Sequence, residues 1–267
     1  GGIFRCATKP LVIMLFLRLQ ELGLLRLSDE IPGAPAAVWT HLFSNMMGVN
    51  GSRSGQNFTY RNDPWRVVPP AVEAATNLSF VDAMQFYVLD PMGADGHLDI
   101  NTMHDPYAAR GFVGTIEDLL LLGSTLANGG ISPKTGKRIV ATRSVGTMLA
   151  QRIVTGTQKE SFLADRITRT MNGHFVARDV QQEFPNGVIE GYGLGLWRVH
   201  GWRSSTADVP LQGWLSLGNN EALLYFDKTG LVLSMLSRKH AGVWEMGCEV
   251  TSAFAGVVRD LGGFAAK

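Results

Sequence analysis

The sequence predicts an α/β (α+β) protein in which an antiparallel sheet is flanked by helices and carries a largely helical insertion. Residues 11–17 are apolar almost all round, which is typical of a buried helix. Strand-like segments follow one another between Tyr192 and Leu236, and a further helical pattern covers 242–260. Because the apolar face of a sheet must be covered, we expect the helices near the two ends to pack on it.

The individual elements follow from local patterns. Residues 115–118 form a Thr-x-x-Asp capping signal and predict a helix beginning there. The strand patterns cover 192–199, 221–226 and 231–236, and residues 227–230 predict a hairpin turn between the last two. We therefore expect a sheet domain made of 1–35 and 191–267, with 36–190 as a mainly helical insertion domain.

Composition excludes several classes of protein. The 267 residues carry a formal charge of +1, and the basic residues are scattered, so no nucleic-acid partner is expected. The apolar run at 11–17 is shorter than the roughly 20 residues that span a bilayer, so we expect no membrane span. The two cysteines, Cys6 and Cys248, allow one disulfide but no disulfide framework, and no His/Cys spacing indicates a metal. We expect no cofactor.

The segment Cys6-Ala7-Thr8-Lys9 carries a chemical pattern at the start of the first helix. Residues three apart share a helix face, so the Cys6 sulfur and the Lys9 ammonium can meet. A helix N-terminus and a neighbouring cation both favour a thiolate, which is the nucleophilic form of cysteine. A small buried cysteine that only fills space is the alternative.

Six segments in order resemble one known superfamily. They are 4–30, 41–48, Tyr60-Arg61-Asn62, 90–93, 111–119 and 191–195. In this order they resemble the serine β-lactamase and penicillin-binding-protein-like superfamily, in particular class C β-lactamases, family VIII esterases and LACTB-like proteins. Cys6 stands where those enzymes carry a serine.

The resemblance implies acyl transfer, with a role for each motif residue. Cys6 would be the nucleophile, Lys9 its proton partner, Tyr60 the second acid or base, and Asn62 an orienting amide. The backbone N–H groups of Cys6 and Asn219 would stabilise the oxyanion.

Two features depart from the superfamily pattern. Its third motif, which begins with Lys or His and sometimes with Trp, falls on Ser216-Leu217-Gly218 and lacks the cationic or imidazole side chain; the frame 211–213 lacks it too. The literal Lys-Thr-Gly strings at 134–136 and 228–230 lie in predicted turns, so we interpret them as coincidental.

Members also carry a helix and strands before the nucleophile, whereas five residues precede Cys6 here. We therefore expect a missing N-terminal segment or a protein partner to complete the sheet.

Two functional hypotheses stay open. The first is a β-lactamase-like acyl hydrolase with an impaired or repurposed site, acting on a small ester, amide or peptide through a covalent intermediate. The second is an inactive scaffold of the same fold that serves as a structural or binding subunit. Intact Lys9, Tyr60 and Asn62 favour the first, and Cys6 with the altered third motif favours the second.

Overall fold

A buried helix and a short strand open the chain. The computed structural model describes residues 2–47, 54–55, 62–99, 108–150, 153–154, 187–204, 207–217, 221–226, 230 and 232–236. Strand β1 (Gly2–Phe4) leads into helix α1 (Thr8–Glu21), which is buried on every side from Thr8 to Leu17. This confirms the predicted core helix. A two-stranded sheet of β2 (Glu30–Ile31) and β3 (Ala34–Val38) follows, and then the short helix α2 (Trp39–Phe43).

The middle of the chain is mainly helical. A 3₁₀ helix (Asp63–Val67) precedes α3 (Val68–Thr76), α4 (Phe80–Met84), a π-helical turn (Gln85–Leu89) and α5 (Asp90–Met92). Strands β4 (His97–Leu98) and β5 (Phe112–Gly114) form a three-stranded antiparallel sheet with β1, in the order β1-β5-β4. Helices α6 (Ile116–Ala127) and α7 (Thr142–Leu149) complete this part.

The predicted start of α6 is confirmed in atomic detail. The Asp118 amide donates to the Thr115 hydroxyl at 3.3 Å, and the Thr115 amide donates to the Asp118 carboxylate at 2.9 Å. This reciprocal pair is a capping box, which satisfies amide groups that the first helical turn leaves without partners.

The last part of the chain forms a six-stranded antiparallel sheet. Its strands are β6 (Ile153–Val154), β7 (Gly187–Tyr192), β8 (Trp197–Ser204), β9 (Ala207–Leu217), β10 (Glu221–Phe226) and β11 (Val232–Leu236), each paired with the next. The antiparallel sheet and the β10–β11 hairpin are confirmed. The single strand predicted over 192–199 is wrong, because β7 ends at Tyr192 and β8 begins at Trp197. The helix predicted over 242–260 lies outside the described residues.

Helix α6 covers one end of this sheet. A Cβ atom built on Gly123 would lie 2.4 Å from Val232 Cγ1 and 2.6 Å from Leu223 Cδ1, so the absent side chain lets the helix approach β10 and β11 closely. On the other side of the core, an aromatic cluster joins α1, α2 and the 3₁₀ helix; its members are Phe16, Trp39, Phe43 and Trp65. These contacts make one layered arrangement of helices around an antiparallel sheet.

Candidate active site

Cys6 lies in the turn that links β1 to α1. It is half-buried and forms no disulfide, and its carbonyl accepts the Lys9 amide at 3.0 Å. The Thr8 hydroxyl donates to the Phe4 carbonyl at 2.9 Å and accepts the Phe112 amide at 3.2 Å. These bonds attach the turn to β1 and β5, so the backbone on either side of Cys6 has a fixed position.

Lys9 is completely buried in the first turn of α1. Its ammonium nitrogen lies 5.6 Å from the centroid of the Trp65 indole ring, within the range of a cation–π interaction. Trp65 is itself completely buried and packs against Phe43 with a centroid distance of 5.3 Å. The Lys9 amino group thus lies inside the core, beside an aromatic ring that packs within the aromatic cluster.

Tyr192, at the end of β7, is buried beside this turn. Its ring meets that of Trp197 edge-on, with centroids 4.8 Å apart. Burial raises the pKa of the Tyr192 phenol well above its usual value, and electrostatic interaction with Cys6 acts in the same direction. The Asn45 side chain acts in the opposite direction and lowers this pKa. A neutral phenol therefore accompanies Cys6 at physiological pH.

The turn after β7 connects the sheet to α1, α2 and α7. The Gly195 amide donates to the Phe43 carbonyl at 3.0 Å, and the Leu194 amide donates to the Met148 carbonyl at 3.0 Å. Gly195 has φ +72°, and a Cβ there would lie 2.4 Å from Ile13 Cδ1 and 3.4 Å from Lys9 Cβ. The turn therefore rests directly on the helix that carries Lys9.

Asn62 and Trp65 each contribute a buried polar atom, and the Trp65 ring lies beside Lys9. Asn62 precedes the 3₁₀ helix, and its backbone carbonyl accepts the Trp65 amide at 3.0 Å. Among the described residues, the buried Asn62 Oδ1 atom and the Trp65 indole N–H have no hydrogen-bond partner. Such atoms are rare in folded proteins and are typical of sites that bind a further group. Tyr60 lies outside the described residues.

The predicted third motif lies on strand β9. Ser216 is 2% exposed and faces Leu223 across the β9–β10 pair, and within the part of the chain that the structure describes its hydroxyl has no hydrogen-bond partner. Trp214, two residues earlier, connects this strand to the turn after β7, because a Cβ at Gly193 would lie 2.9 Å from its ring. Gly218 and Asn219 lie outside the described residues.

These elements match solved structures over nearly their whole length. A β-lactamase from Mycobacterium bovis superposes with a TM-score of 0.65 at 19% identity, covering 97% of this chain and 88% of that one. A penicillin-binding protein from Bacillus halodurans gives 0.62 at 10% identity, with coverages of 94% and 84%. SurE gives 0.60 at 20% identity, and the chain spans 62% of its length and is itself covered over 91%. The fold is that of the serine β-lactamases and penicillin-binding proteins. By sequence, no family model and no curated protein matches the chain.

The serine β-lactamase fold confirms the architecture expected from the six ordered segments. Within it, Cys6 and Lys9 lie at the start of one helix, and the segment after Asn62 reaches Lys9 through Trp65. The Lys-Thr-Gly string at 134–136 lies at a surface turn, where the exposed Lys134 ammonium pairs with Asp95 at 3.1 Å. Of the string at 228–230, only Gly230 lies within the described residues.

Three residues of the site were missed by the sequence analysis. They come together only through tertiary folding: Trp65 contacts Lys9, Tyr192 interacts with Cys6, and Asn45 interacts with Tyr192. One local signal was available: Tyr192 begins a Tyr-Gly-Leu-Gly run, and alternating glycines indicate close backbone packing as well as a strand.

Within the described ranges, no cluster of three or more His, Cys, Asp or Glu side chains is placed to hold a metal ion. None of the helices in those ranges has the length and apolar character needed to cross a membrane.

Proposed function

We propose that the chain is an acyl hydrolase that cleaves a small ester, amide or peptide through a thioester at Cys6. The proposed roles are nucleophile for Cys6, proton partner for Lys9, second acid or base for Tyr60 and orienting amide for Asn62. The Cys6 and Asn219 amides would bind the oxyanion, next to the Ser216–Gly218 segment.

The reaction proceeds in two balanced steps. The Cys6 sulfur bonds to the substrate carbonyl carbon, the C–O or C–N bond breaks, and the alcohol or amine leaves with the proton that the thiol gave to Lys9. Water then adds to the thioester carbonyl, the C–S bond breaks, and the carboxylic acid leaves while the sulfur regains a proton. The net reaction is hydrolysis without any redox change.

One observation carries the proposal: a completely buried lysine lies three residues after a half-buried thiol at the start of the core helix. Burying a lysine is costly unless partners offset the loss of hydration, so chains rarely place one in the core without a role.

Activities described for other structures of this fold support the reaction class. They include a D-stereospecific amidohydrolase from Streptomyces and EstCE1, a hydrolase with promiscuous acyltransferase activity. Both activities transfer an acyl group, which is the step that Cys6 would perform.

Covalent labelling tests the proposal. In a Cys248→Ser background, an activated ester and a penicillin-type probe are incubated with the protein, and the adduct is located by mass spectrometry. We expect acylation at Cys6 followed by turnover, and at least a hundredfold loss of acylation rate in Lys9→Met. Lys134→Met removes an exposed lysine instead and should leave the rate unchanged.

The inactive scaffold remains the second candidate, because one observation favours it. The third-motif frame places a neutral buried serine, Ser216, where the resemblance implies a cation or imidazole. If the protein forms no acyl adduct, and iodoacetamide labels Cys6 and Cys248 of the wild type equally slowly, the hydrolase proposal fails and the scaffold is favoured.

A further inference from the structure

Two helices of this chain are capped in the same way by different side chains. At the start of α6, the Asp118 carboxylate accepts the Thr115 amide at 2.9 Å. At the start of α2, the His41 ring takes the equivalent place, and its Nδ1 atom accepts the Val38 amide at 3.4 Å. Val38 itself has no polar side chain, so the imidazole provides the side-chain part of this cap.

The two acceptors respond differently to acid. A carboxylate accepts hydrogen bonds down to about pH 4, whereas an imidazole accepts through Nδ1 only while that nitrogen carries no proton. In protonated His41, the Nδ1–H and the Val38 N–H would be two donors directed at each other. A positive charge in the first turn of a helix is also unfavourable, because the helix dipole is positive there. Protonation of His41 therefore removes the cap.

Ser54 and Gly55 hold the His41 ring against α2. The Ser54 hydroxyl lies 2.9 Å from His41 Nδ1 and 3.3 Å from the Met46 carbonyl. It can donate to a neutral ring, and it can accept from a protonated ring while donating to Met46. A Cβ atom built on Gly55 would lie 2.8 Å from His41 Nε2, so the backbone packs on the ring as well. The Val38 amide can only donate, so acid acts on the cap of α2 and not on the Ser54 contact.

Helix α2 also contacts two neighbours of Lys9. The Phe43 carbonyl accepts the Gly195 amide at 3.0 Å, and Gly195 lies in the turn that rests on the helix carrying Lys9. The Phe43 ring packs on Trp65, whose own ring lies beside Lys9. A loosened α2 therefore changes the support of the candidate site from two directions.

We propose that His41 is an acid-sensitive cap of α2, so that protonation of its ring loosens α2 and lowers the activity of the neighbouring site while the protein stays folded. The effect on activity rests on the proposed function, whereas the behaviour of the cap does not. Burial lowers the pKa of the His41 imidazole below its usual value of 6.5. The unfolded chain therefore binds this proton more tightly, and the cap is intact above pH 6.5 and is lost as the pH falls below it.

The charged groups around this end of α2 belong to the hairpin that precedes it. Arg26, Asp29 and Glu30 are all exposed, and exposed carboxylates and guanidinium groups keep their charge between pH 7.5 and pH 5. Helix α1 and the 3₁₀ helix meet α2 through aromatic rings. Of the described residues in β3, α2 and 54–55, only His41 is titratable. A change of α2 over this pH range can thus be assigned to His41.

Amide exchange and imidazole titration, both followed by NMR, test the cap. As the His41 ring titrates between pH 7.5 and pH 5, the protection factor of the Val38 amide should fall at least about fivefold, the change expected from losing one helix cap. The amides of α1 should keep their protection. In His41→Asn the side-chain oxygen accepts at every pH, so Val38 protection should not depend on pH. His97→Asn, at an exposed histidine of β4, is the matched control and should behave like the wild type.

Acylation provides the second readout. The ratio of the rates at pH 7.5 and pH 5 should be at least about fivefold larger in the wild type and His97→Asn than in His41→Asn. This comparison cancels the ionisation of the nucleophile and its proton partner, which the three proteins share. If His41→Asn does not fold, His41→Asp replaces it, because an aspartate at this position copies the cap of α6.

The two readouts separate the inference from the proposed function. Val38 protection that stays constant while His41 titrates overturns the inference, and so does an equal loss of protection in His41→Asn. If no acyl adduct forms, the proposed function fails and the exchange measurement still decides the cap. A fall in Val38 protection without the matching difference in acylation would refute the connection to the site.

Discussion

At the scale of single residues, the site is defined by polar groups that the fold has removed from water. Lys9 and Trp65 are completely buried, and Tyr192 is 1% exposed. The Cys-x-x-Lys spacing was visible in the sequence because it depends on one helical turn. The contacts of Trp65 and Tyr192 were not visible, since they join segments far apart in the chain.

Tyr192 gives a prediction about alkaline pH. Its pKa is raised in the folded protein, so the folded state keeps a proton that the unfolded state releases above about pH 10. The stabilising contribution is present below pH 10 and is lost as the pH rises toward the folded-state pKa. We expect the free energy of unfolding to fall more steeply above pH 10 in the wild type than in Tyr192→Phe.

Urea unfolding between pH 8 and pH 11 measures this difference. Tyr87→Phe, at a half-buried tyrosine of the π-helical turn, is the control and should leave the alkaline slope unchanged. Parallel slopes for the wild type and Tyr192→Phe would show that Tyr192 ionises freely and does not stay neutral beside Cys6.

At the scale of elements, local sequence signals gave correct predictions where a feature depends on residues that are close together in the chain. The apolar run predicted α1, and the Thr115 capping box predicted the start of α6. The boundary between β7 and β8 was predicted wrongly, because the residues from Tyr192 to Val199 alternate like one strand. The chain turns there because Gly195 adopts φ +72° and donates to Phe43, a contact that no local pattern encodes. Strand β9 was also missed.

The turn after β7 supplies the element-scale prediction. In Gly195→Ala the new Cβ atom would clash with Ile13, and the alanine would have to adopt a left-handed backbone conformation. We therefore expect a loss of about 1 to 3 kcal/mol in the free energy of unfolding. Gly136→Ala is the control, because Gly136 has a similar φ of +70° with nothing within 4 Å of its Cβ. It should show only the backbone part of the cost.

Urea denaturation of both variants gives the comparison. If Gly195→Ala lowers the free energy of unfolding no more than Gly136→Ala does, the turn does not pack tightly against α1 and does not fix the position of Lys9.

At the scale of the whole molecule, the site depends on segments from widely separated parts of the sequence. The turn with Cys6 comes from the start of the chain, Trp65 from the helical region, and Tyr192 from the six-stranded sheet. The fold class could be predicted from the order of the six segments, and the Mycobacterium bovis β-lactamase shares this fold at 19% identity. The roles of Cys6, Lys9, Tyr60 and Asn62 stay predictions, since a shared fold does not determine the chemistry of a site.

Substitutions of Thr8 test how strongly β1 and the start of α1 are attached to β5. Its buried hydroxyl accepts the amide of Phe112, 104 residues away, and donates to Phe4. Thr8→Val keeps the shape but leaves the Phe112 amide unsatisfied, which should cost about 1 to 3 kcal/mol. The Phe4 carbonyl still accepts the Gly111 amide, so the loss is confined to one donor.

Hydrogen exchange of the Phe112 amide identifies the cause of any destabilisation. We expect faster exchange in Thr8→Val, whereas Thr8→Ser keeps the hydroxyl, loses one methyl group and should retain the protection while losing about 1 kcal/mol of stability. Because the same hydroxyl fixes the backbone beside Cys6, Thr8→Val should also slow acylation of Cys6 more than Thr8→Ser does. Equal protection of Phe112 in the two variants would mean that the Thr8 hydroxyl does not hold β1, α1 and β5 together, and that the position of Cys6 has another origin.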